Sequence, residues 1–517
     1  MDIASGRFKR YIPVLLLIIS ILLWYAAYKS HFSGFFWSDS HDYNQIARNI
    51  YEGKGFSTSV LRPVSFLNFK SLPHPEITRP PLYPYLLAGF FRLFGLNDFS
   101  VVLVNGLFYI LLIPMTYLFI REFSKDEFLA LIVSACIGLS NAFLKMSIIG
   151  SSDIVYTSLV MFFFYIYIKY PEKIFILGLL AGLLWLTRLN AVFLISALVV
   201  IDYKPFKFDK ENLKRLGFFI IGLFLIILPV IIRNYMVSGS AVSSMNSPML
   251  FTKSYPGFYL WTQVNYISPW KFIINHPVEF YEKFTNLFFN LLGDFRYFFG
   301  YGLISVMILG LCVPLKDEVH RRFRKVIALT ALLQTIVIAS TVSPEARYYM
   351  FLVPPVVTFF LIFLKSIRLR YLKSMAYFSI VALIIIFSSI GFWQDGKIIN
   401  YYKQLGDMVK GATNKDSIIA SDMAWGISWY ADRRAVWLPY DLDTMDKISK
   451  TIPITYVFLS IDLTRPLVPY KDNIWQRLFF YGNSFNAPGL KLVQIFYYGN
   501  TPIGILYKVE RNQIKQE

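Results

Sequence analysis

RFKRYIPVLLLIISILLWYAAY, residues 7 to 28, decides the fold class. From Tyr11 to Tyr28 the run carries no charge and is long enough, as a helix, to cross a bilayer core. Arg7, Lys9 and Arg10 precede it and no small-residue cleavage site follows, so it reads as a retained anchor with a cytoplasmic N-terminus. Similar runs recur at 99–120, 128–147, 153–168, 174–187, 189–201, 216–233, 300–315, 326–342, 348–364 and 375–393, giving eleven candidate helices. The pair around Thr187 to Asn190 is short and reads as a tight hairpin that crosses only in part.

Composition agrees with a membrane protein. Hydrophobic residues make up 56%, aromatic residues 18% and charged residues only 16% of 517 positions. The formal charge of +19 has no basic stripe interleaved with stacking aromatics, which argues against nucleic acid and for cytoplasmic loops on anionic lipid. Cys136 and Cys312 both lie inside apolar runs, and His31, His41, His74, His276 and His320 show no metal-ligand spacing, so neither a disulfide framework nor a zinc hydrolase is indicated.

The charges set the topology. Segments 1–10, 121–127, 169–173, 202–215, 316–325 and 365–373 hold 21 Lys and Arg in 55 residues, whereas the first long loop, 29–98, holds 7 in 70. The positive-inside rule therefore places loops 29–98 and 234–299, and everything after Trp393, outside. Residues 1–393 read as a transmembrane domain. Residues 394–517 alternate strand-like runs (Ser417–Ser421, Ile454–Ile461, Leu490–Phe496, Ile503–Val509) with polar and helical stretches, and read as a small extracytoplasmic α/β domain. In the first loop, Tyr43, Ile46, Ala47 and Ile50 fall at helical spacing, which predicts an amphipathic helix along the membrane surface, ended by Gly53 and Gly55. A second helix is expected after Pro80 and Pro81.

Asp39, Asp42, Arg79, Asp153, Arg188, Arg233, Glu345 and Arg347 all fall beside ends of apolar spans on that outer side. Charge at membrane depth or at the rim is costly, so its gathering on one side points to a site. Each residue also has a plainer reading. Asp39 suits a helix N-cap or a general base at the water boundary. Asp42 suits a solvated helix face, an assisting carboxylate or a cation ligand. Arg79 suits a lipid headgroup or a phosphate held by paired hydrogen bonds. Glu345 and Arg347 suit an exposed ion pair in a tight hairpin, and Asp153 a favourable first-turn charge. Together they form a set of carboxylates and arginines without a serine triad, metal motif or phosphate-cradling glycine loop. A glycosidase needs a second carboxyl to protonate its leaving alcohol. A sugar leaving from a lipid phosphate needs one base, and positive charge on the departing oxyanion.

Asp39 with Tyr43, Ile46 and Ala47, Gly53-Lys-Gly55-Phe56, Arg79-Pro-Pro-Leu-Tyr-Pro84, Gly182-Leu-Leu-Trp-Leu-Thr-Arg188, Arg233-Asn-Tyr235 and Arg347-Tyr348 with Pro354-Pro355 carry a family resemblance. The chain resembles the GT-C superfamily of polyprenyl-phosphate-sugar glycosyltransferases, in particular the relatives of protein mannosyltransferases and of the lipid A aminoarabinose transferase. That resemblance implies a polytopic helical membrane protein with an outer C-terminal α/β domain, in the plasma (inner) membrane. It implies Asp39 as the catalytic base, although the family often has an acidic pair directly there, where this chain has Asp39-Ser40 and then Asp42. It implies Arg79, Arg347 and Tyr348 as binders of donor phosphate, and Asp153 as linked to metal or acceptor. Asp42 and Glu345 join Asp153 as candidates for an acceptor or divalent-cation site, and Arg188 and Arg233 as supporting residues. The expected reaction is inverting transfer of a sugar from a polyprenyl-phosphate donor to a hydroxyl on a lipid, glycan or protein. A ligase or polymerase using diphosphate-linked oligosaccharides, and a secondary transporter of lipid-linked or anionic substrates, are the alternatives.

Overall fold

The computed structural model describes residues 2–203, 209–241, 261–264, 269–295, 309–312, 315, 317–340, 345–366, 400–464, 470, 473–482 and 489–510. Helix α1 (Asp2–His31) leads to α2 (Ser38–Tyr51), and after a folded loop come α3 (Leu82–Phe94) and α4 (Asp98–Ser124). Then follow α5 (Glu127–Leu139), α6 (Asn141–Ile149), α7 (Ser152–Lys169), α8 (Ile174–Thr187), α9 (Ala191–Leu198) and α10 (Lys210–Ser238).

Among the described residues five helices are long and apolar enough to cross a membrane: Tyr11–His31, α4, α7, α10 and Ala346–Lys365. A sixth span arises if α5 and α6, bent by 54° where Ser140 is extended, count as one. The expected hairpin at 174–201 is observed as the short helices α8 and α9. The expected span 375–393 and most of 300–315 lie outside the described residues. The chain is an integral membrane protein. Helix α4 is the hub of the bundle, packed against α1, α3, α5, α6 and α7. Only 17% of the apolar windows of α1 and α10 is buried, so their sides face lipid. Helix α10 is nevertheless locked to α8: a Cβ on Gly178 would lie 2.3 Å from the Phe219 carbonyl oxygen, and one on Gly222 would lie 2.4 Å from that of Phe175. Small residues let the two backbones touch.

The strands form a second layer. Strands β1 (Ser57–Thr58), β2 (Val60–Leu61) and β3 (His74–Pro75) lie in the first loop, with β1 and β3 paired antiparallel. Strands β4 (Ile418–Ser421), β5 (Arg434–Trp437), β6 (Tyr456–Ser460), β7 (Leu490–Tyr498) and β8 (Thr501–Val509) lie towards the C-terminus. They make one six-stranded sheet in the order β2-β5-β4-β6-β8-β7, parallel from β2 to β6 and antiparallel beyond. Four of its strands coincide with the strand-like runs of the sequence. Two do not: β5, and β2, which the first loop lends to the sheet edge, Val60 opposite Ala435 and Leu61 opposite Val436.

That loan changes the reading of α2. The spacing predicts an amphipathic helix on the membrane surface, yet Ser40 through Asn49 are buried without a break. Its polar face is covered by the loop and the C-terminal layer, which supply the hydrogen bonds its polar groups need. Gln45 donates to Thr58 Oγ1 at 2.8 Å and accepts from Ser59 N at 2.8 Å, and Asn49 donates to the Ser57 carbonyl at 3.1 Å. Arg48 pairs with Asp432 at 3.1 Å. Buried polar groups are tolerated when they are paired.

Candidate active site

Asp39 stands in the first turn of α2, but it caps nothing: the N-cap position is Trp37, with no side-chain cap bond. Its carboxylate is held instead by two arginines. Arg79 Nη2 donates to Oδ1 at 2.6 Å and Arg347 Nη2 donates to Oδ2 at 2.8 Å. Arg79 is positioned by Pro80 and Pro81, which lead into α3, and by stacking 5.1 Å from the Tyr43 ring centroid. Arg347 sits in the 3-10 turn Ala346–Leu352 that opens the last described span, its guanidinium 4.9 Å from the Trp37 ring centroid and 5.3 Å from that of Tyr348.

The constellation extends on both sides. Arg347 also pairs with Glu345 and lies 3.5 Å from Asp153. Asp153, in the first turn of α7, accepts from Arg188 at 2.6 Å, and Arg188 is placed by the C-terminal end of α8. Arg188 also lies 5.2 Å from the Tyr348 ring centroid. On the other side, Asp42 Oδ2 accepts from Arg79 Nε at 2.8 Å and from Arg62 Nη2 at 2.6 Å. Asp42 is fully buried, which corrects the solvated helix face its spacing suggests. Arg347 is 8% exposed, so Glu345 and Arg347 are no loose surface pair either. The fold thus joins Asp39, Asp42, Arg79, Asp153, Arg188, Glu345, Arg347 and Tyr348.

Arg233 stands apart. Its guanidinium donates to the Phe56 carbonyl at 2.7 Å and to that of Glu76, bracing the first loop from α10. Arg62 and Glu76 are the members that sequence reading misses: both are buried, in a loop where no period marks them.

Electrostatics follow from this interleaving. Burial alone would raise the proton affinity of Asp39, but the charges and hydrogen bonds of Arg79 and Arg347 outweigh it and hold the carboxyl well below the usual range. His41, the nearest imidazole in sequence, donates from Nε2 to the Phe35 carbonyl at 2.9 Å, and burial pushes it down to about 4. It is neutral and occupied. Among the described residues no group of three His, Cys, Asp or Glu side chains is arranged to hold a metal ion. Arginines sit between the acids: Arg79 between Asp39 and Asp42, and Arg347 between Asp39, Asp153 and Glu345. The side chain of Asp39 keeps 23% exposure and that of Arg79 24%, so the centre of the cluster is reachable, as is Glu345 at its edge, while Asp42, Asp153 and Arg347 are closed off.

Known structures share this arrangement of the chain. ArnT from Cupriavidus metallidurans, solved with undecaprenyl phosphate bound, superimposes with a TM-score of 0.54 over 96% of this chain and 97% of that one, at 11% identity. The chain has the fold of the GT-C glycosyltransferase superfamily. A second GT-C structure, the arabinofuranosyltransferase AftD from Mycobacteria, matches with a TM-score of 0.50 at 13% identity, over 97% of this chain and 40% of AftD. The family model described as dolichyl-phosphate-mannose-protein mannosyltransferase matches residues 78–233, the stretch that carries Arg79, Asp153, Arg188 and Arg233. An uncharacterized protein of Aquifex aeolicus (strain VF5) is 25% identical over 205 residues, a match that spans 39% of this chain and 39% of that protein.

Proposed function

We propose that this GT-C chain transfers a sugar from a polyprenyl-phosphate donor to a hydroxyl acceptor on the extracytoplasmic face. The observation that carries the proposal is the double grip of Arg79 and Arg347 on Asp39, at 2.6 and 2.8 Å. Two guanidinium forks that converge on one carboxylate are equally suited to converge on a phosphate in its place. The family match and the fold shared with ArnT support the same substrate class.

The donor phosphate draws Arg79 and Arg347 onto itself and leaves Asp39 with fewer positive neighbours. Its proton affinity then rises towards that of a working base. The acceptor hydroxyl gives its proton to Asp39 as its oxygen attacks the anomeric carbon from the face opposite the phosphate. The bond from that carbon to the phosphate oxygen breaks, and its electron pair leaves with the polyprenyl phosphate. Charge on the phosphate grows as the bond breaks, so the arginines bind the transition state more strongly than the ground state. Attack from the opposite face inverts the anomeric configuration. Tyr348 packs beside both Arg188 and Arg347 and keeps the phosphate-binding side in register. Asp153 and Arg188 neutralise each other beside it and steady Arg347 and Tyr348, which they touch.

The test is a panel of labelled polyprenyl-phosphate sugars offered to the purified protein in lipid nanodiscs. Release or transfer of sugar from one donor class supports the proposal. Silence across the panel, with acceptor lipids supplied and the protein folded, moves the assignment to a diphosphate-linked donor or to transport.

A further inference from the structure

Arg62 follows directly on β2, the strand that the first loop lends to the C-terminal sheet, and its side chain is 4% exposed. Its Nη2 donates to Asp42 Oδ2 at 2.6 Å, its Nη1 lies 3.8 Å from Glu76 Oε2, and its guanidinium lies 5.7 Å from the Trp425 ring centroid. Asp42 and Glu76 are themselves buried, at 0% and 1% side-chain exposure. Both hold Arg79. Asp42 accepts from its Nε at 2.8 Å, and Glu76 Oε1 accepts from its backbone N–H at 3.1 Å. One arginine that needs no contact with substrate therefore supplies positive charge to the two carboxylates that fix the other.

We propose that Arg62 is a positioning residue that sets how tightly Asp42 holds Arg79, and so how readily Arg79 passes from Asp39 to the donor phosphate. This rests on the proposed function. Among the described residues the Asp42 carboxylate has two ion-pair partners, Arg62 and Arg79, beside a hydrogen bond from Gln45 Nε2 at 3.1 Å. Take Arg62 away and, among the described residues, a fully buried carboxylate keeps Arg79 alone as an ion-pair partner. A buried charge with a single charged partner holds that partner hard, because the alternative is an uncompensated charge in a low-dielectric site. Arg79 is then spent on Asp42 and less available to a phosphate. The device also links the donor site to the sheet, since Arg62 follows directly on Val60 and Leu61, which pair with Ala435 and Val436.

The discriminating experiment is titration of polyprenyl phosphate onto the full chain in nanodiscs, with the thermal transition recorded for every variant. Arg62→Gln, which keeps N–H donors and loses the charge, is expected to weaken binding about tenfold, whereas Arg62→Lys, which keeps the charge, stays within about threefold of wild type. Adding Asp42→Asn to Arg62→Gln is expected to restore most of the affinity, because a neutral amide no longer claims Arg79. A merely structural role predicts the reverse, a double variant at least as weak as the single one. Unchanged binding in Arg62→Gln, equal losses in Gln and Lys, or no recovery in the double variant would each overturn the inference. If Arg62→Gln does not fold, the Lys variant decides: a loss of about tenfold or more despite the retained charge overturns it. Failure of the wild type to bind polyprenyl phosphate is a separate outcome, which removes the proposed function and this inference with it.

Discussion

Asp39 and Arg347 lie 308 positions apart in the chain and 2.8 Å apart in the fold. The contact closes the first loop onto the turn that opens the last described span, so the groups at the site come from both ends of the membrane part of the molecule. Each carboxylate at its centre is paired with arginine, which has measurable consequences.

Replacing Arg347 by Ala leaves Asp39, Asp153 and Glu345 short of a partner and takes one fork from the phosphate. Affinity for polyprenyl phosphate is expected to fall about tenfold or more. Arg347→Lys should recover only part of it, because a point charge cannot serve Asp39 and Glu345 in the same geometry. Titration in nanodiscs of chains with matched thermal transitions checks both.

The pH profile should separate the free enzyme from the donor complex. Asp39 is depressed in the free protein, so it stays ionised throughout the ordinary range, and its contribution to stability is lost progressively as pH falls from the ordinary carboxylate range through that depressed value. The profile of kcat/KM, which reports the free enzyme, should therefore show no acid limb from Asp39 above about pH 4. Once the phosphate has drawn off the arginines, the acid limb in kcat should lie at higher pH. Coincident limbs in the two profiles would show that the arginines do not move from carboxylate to phosphate.

Much of this site is legible in the sequence because charge beside an apolar span is costly. Asp39, Arg79, Asp153, Arg188 and Arg347 stand out against their neighbours for that reason, and the fold brings them together. Arg62 and Glu76 do not stand out, since they sit in a polar loop where a charged residue needs no explanation. Strand β2 is two residues long, too short for any alternation, and its partner β5 reads Arg434-Ala-Val-Trp437, a short parallel strand buried on both faces. Without that pairing the polar face of α2 has no cover, which is why its spacing reads as a surface helix. Arg233 shows the opposite failure, a charge at a span end that serves the loop backbone instead of the cluster.

Contact between α8 and α10 depends on the lack of a side chain at Gly178. Gly178→Ala places a methyl group 2.3 Å from a backbone carbonyl that cannot turn aside, and is expected to cost about 1–3 kcal/mol. Thermal unfolding in nanodiscs measures it. Gly217, with open space around its Cβ position on α10, should accept Ala without that loss.

Asp422, between β4 and the turn that follows, accepts from Ser460 N at 2.9 Å and from its hydroxyl, and burial pushes its carboxyl up to about 7. A raised carboxyl costs stability in its charged form, so the penalty develops as pH rises from the ordinary carboxylate range to about 7 and is complete above it. Asp422→Asn should therefore stabilise the C-terminal layer by about 1 kcal/mol or more at about pH 8, and by much less near pH 4. Thermal transitions at the two pH values check the sign.

The most direct test of the account is single-turnover transfer by Asp39→Asn, measured beside polyprenyl phosphate binding by the same chain. The amide keeps the size of the carboxylate and cannot take a proton. Transfer reduced by a factor of about a thousand or more, with lipid phosphate binding retained or strengthened, is the expected result. Transfer within about tenfold of wild type would contradict Asp39 as the base and with it the mechanism built on the two arginines.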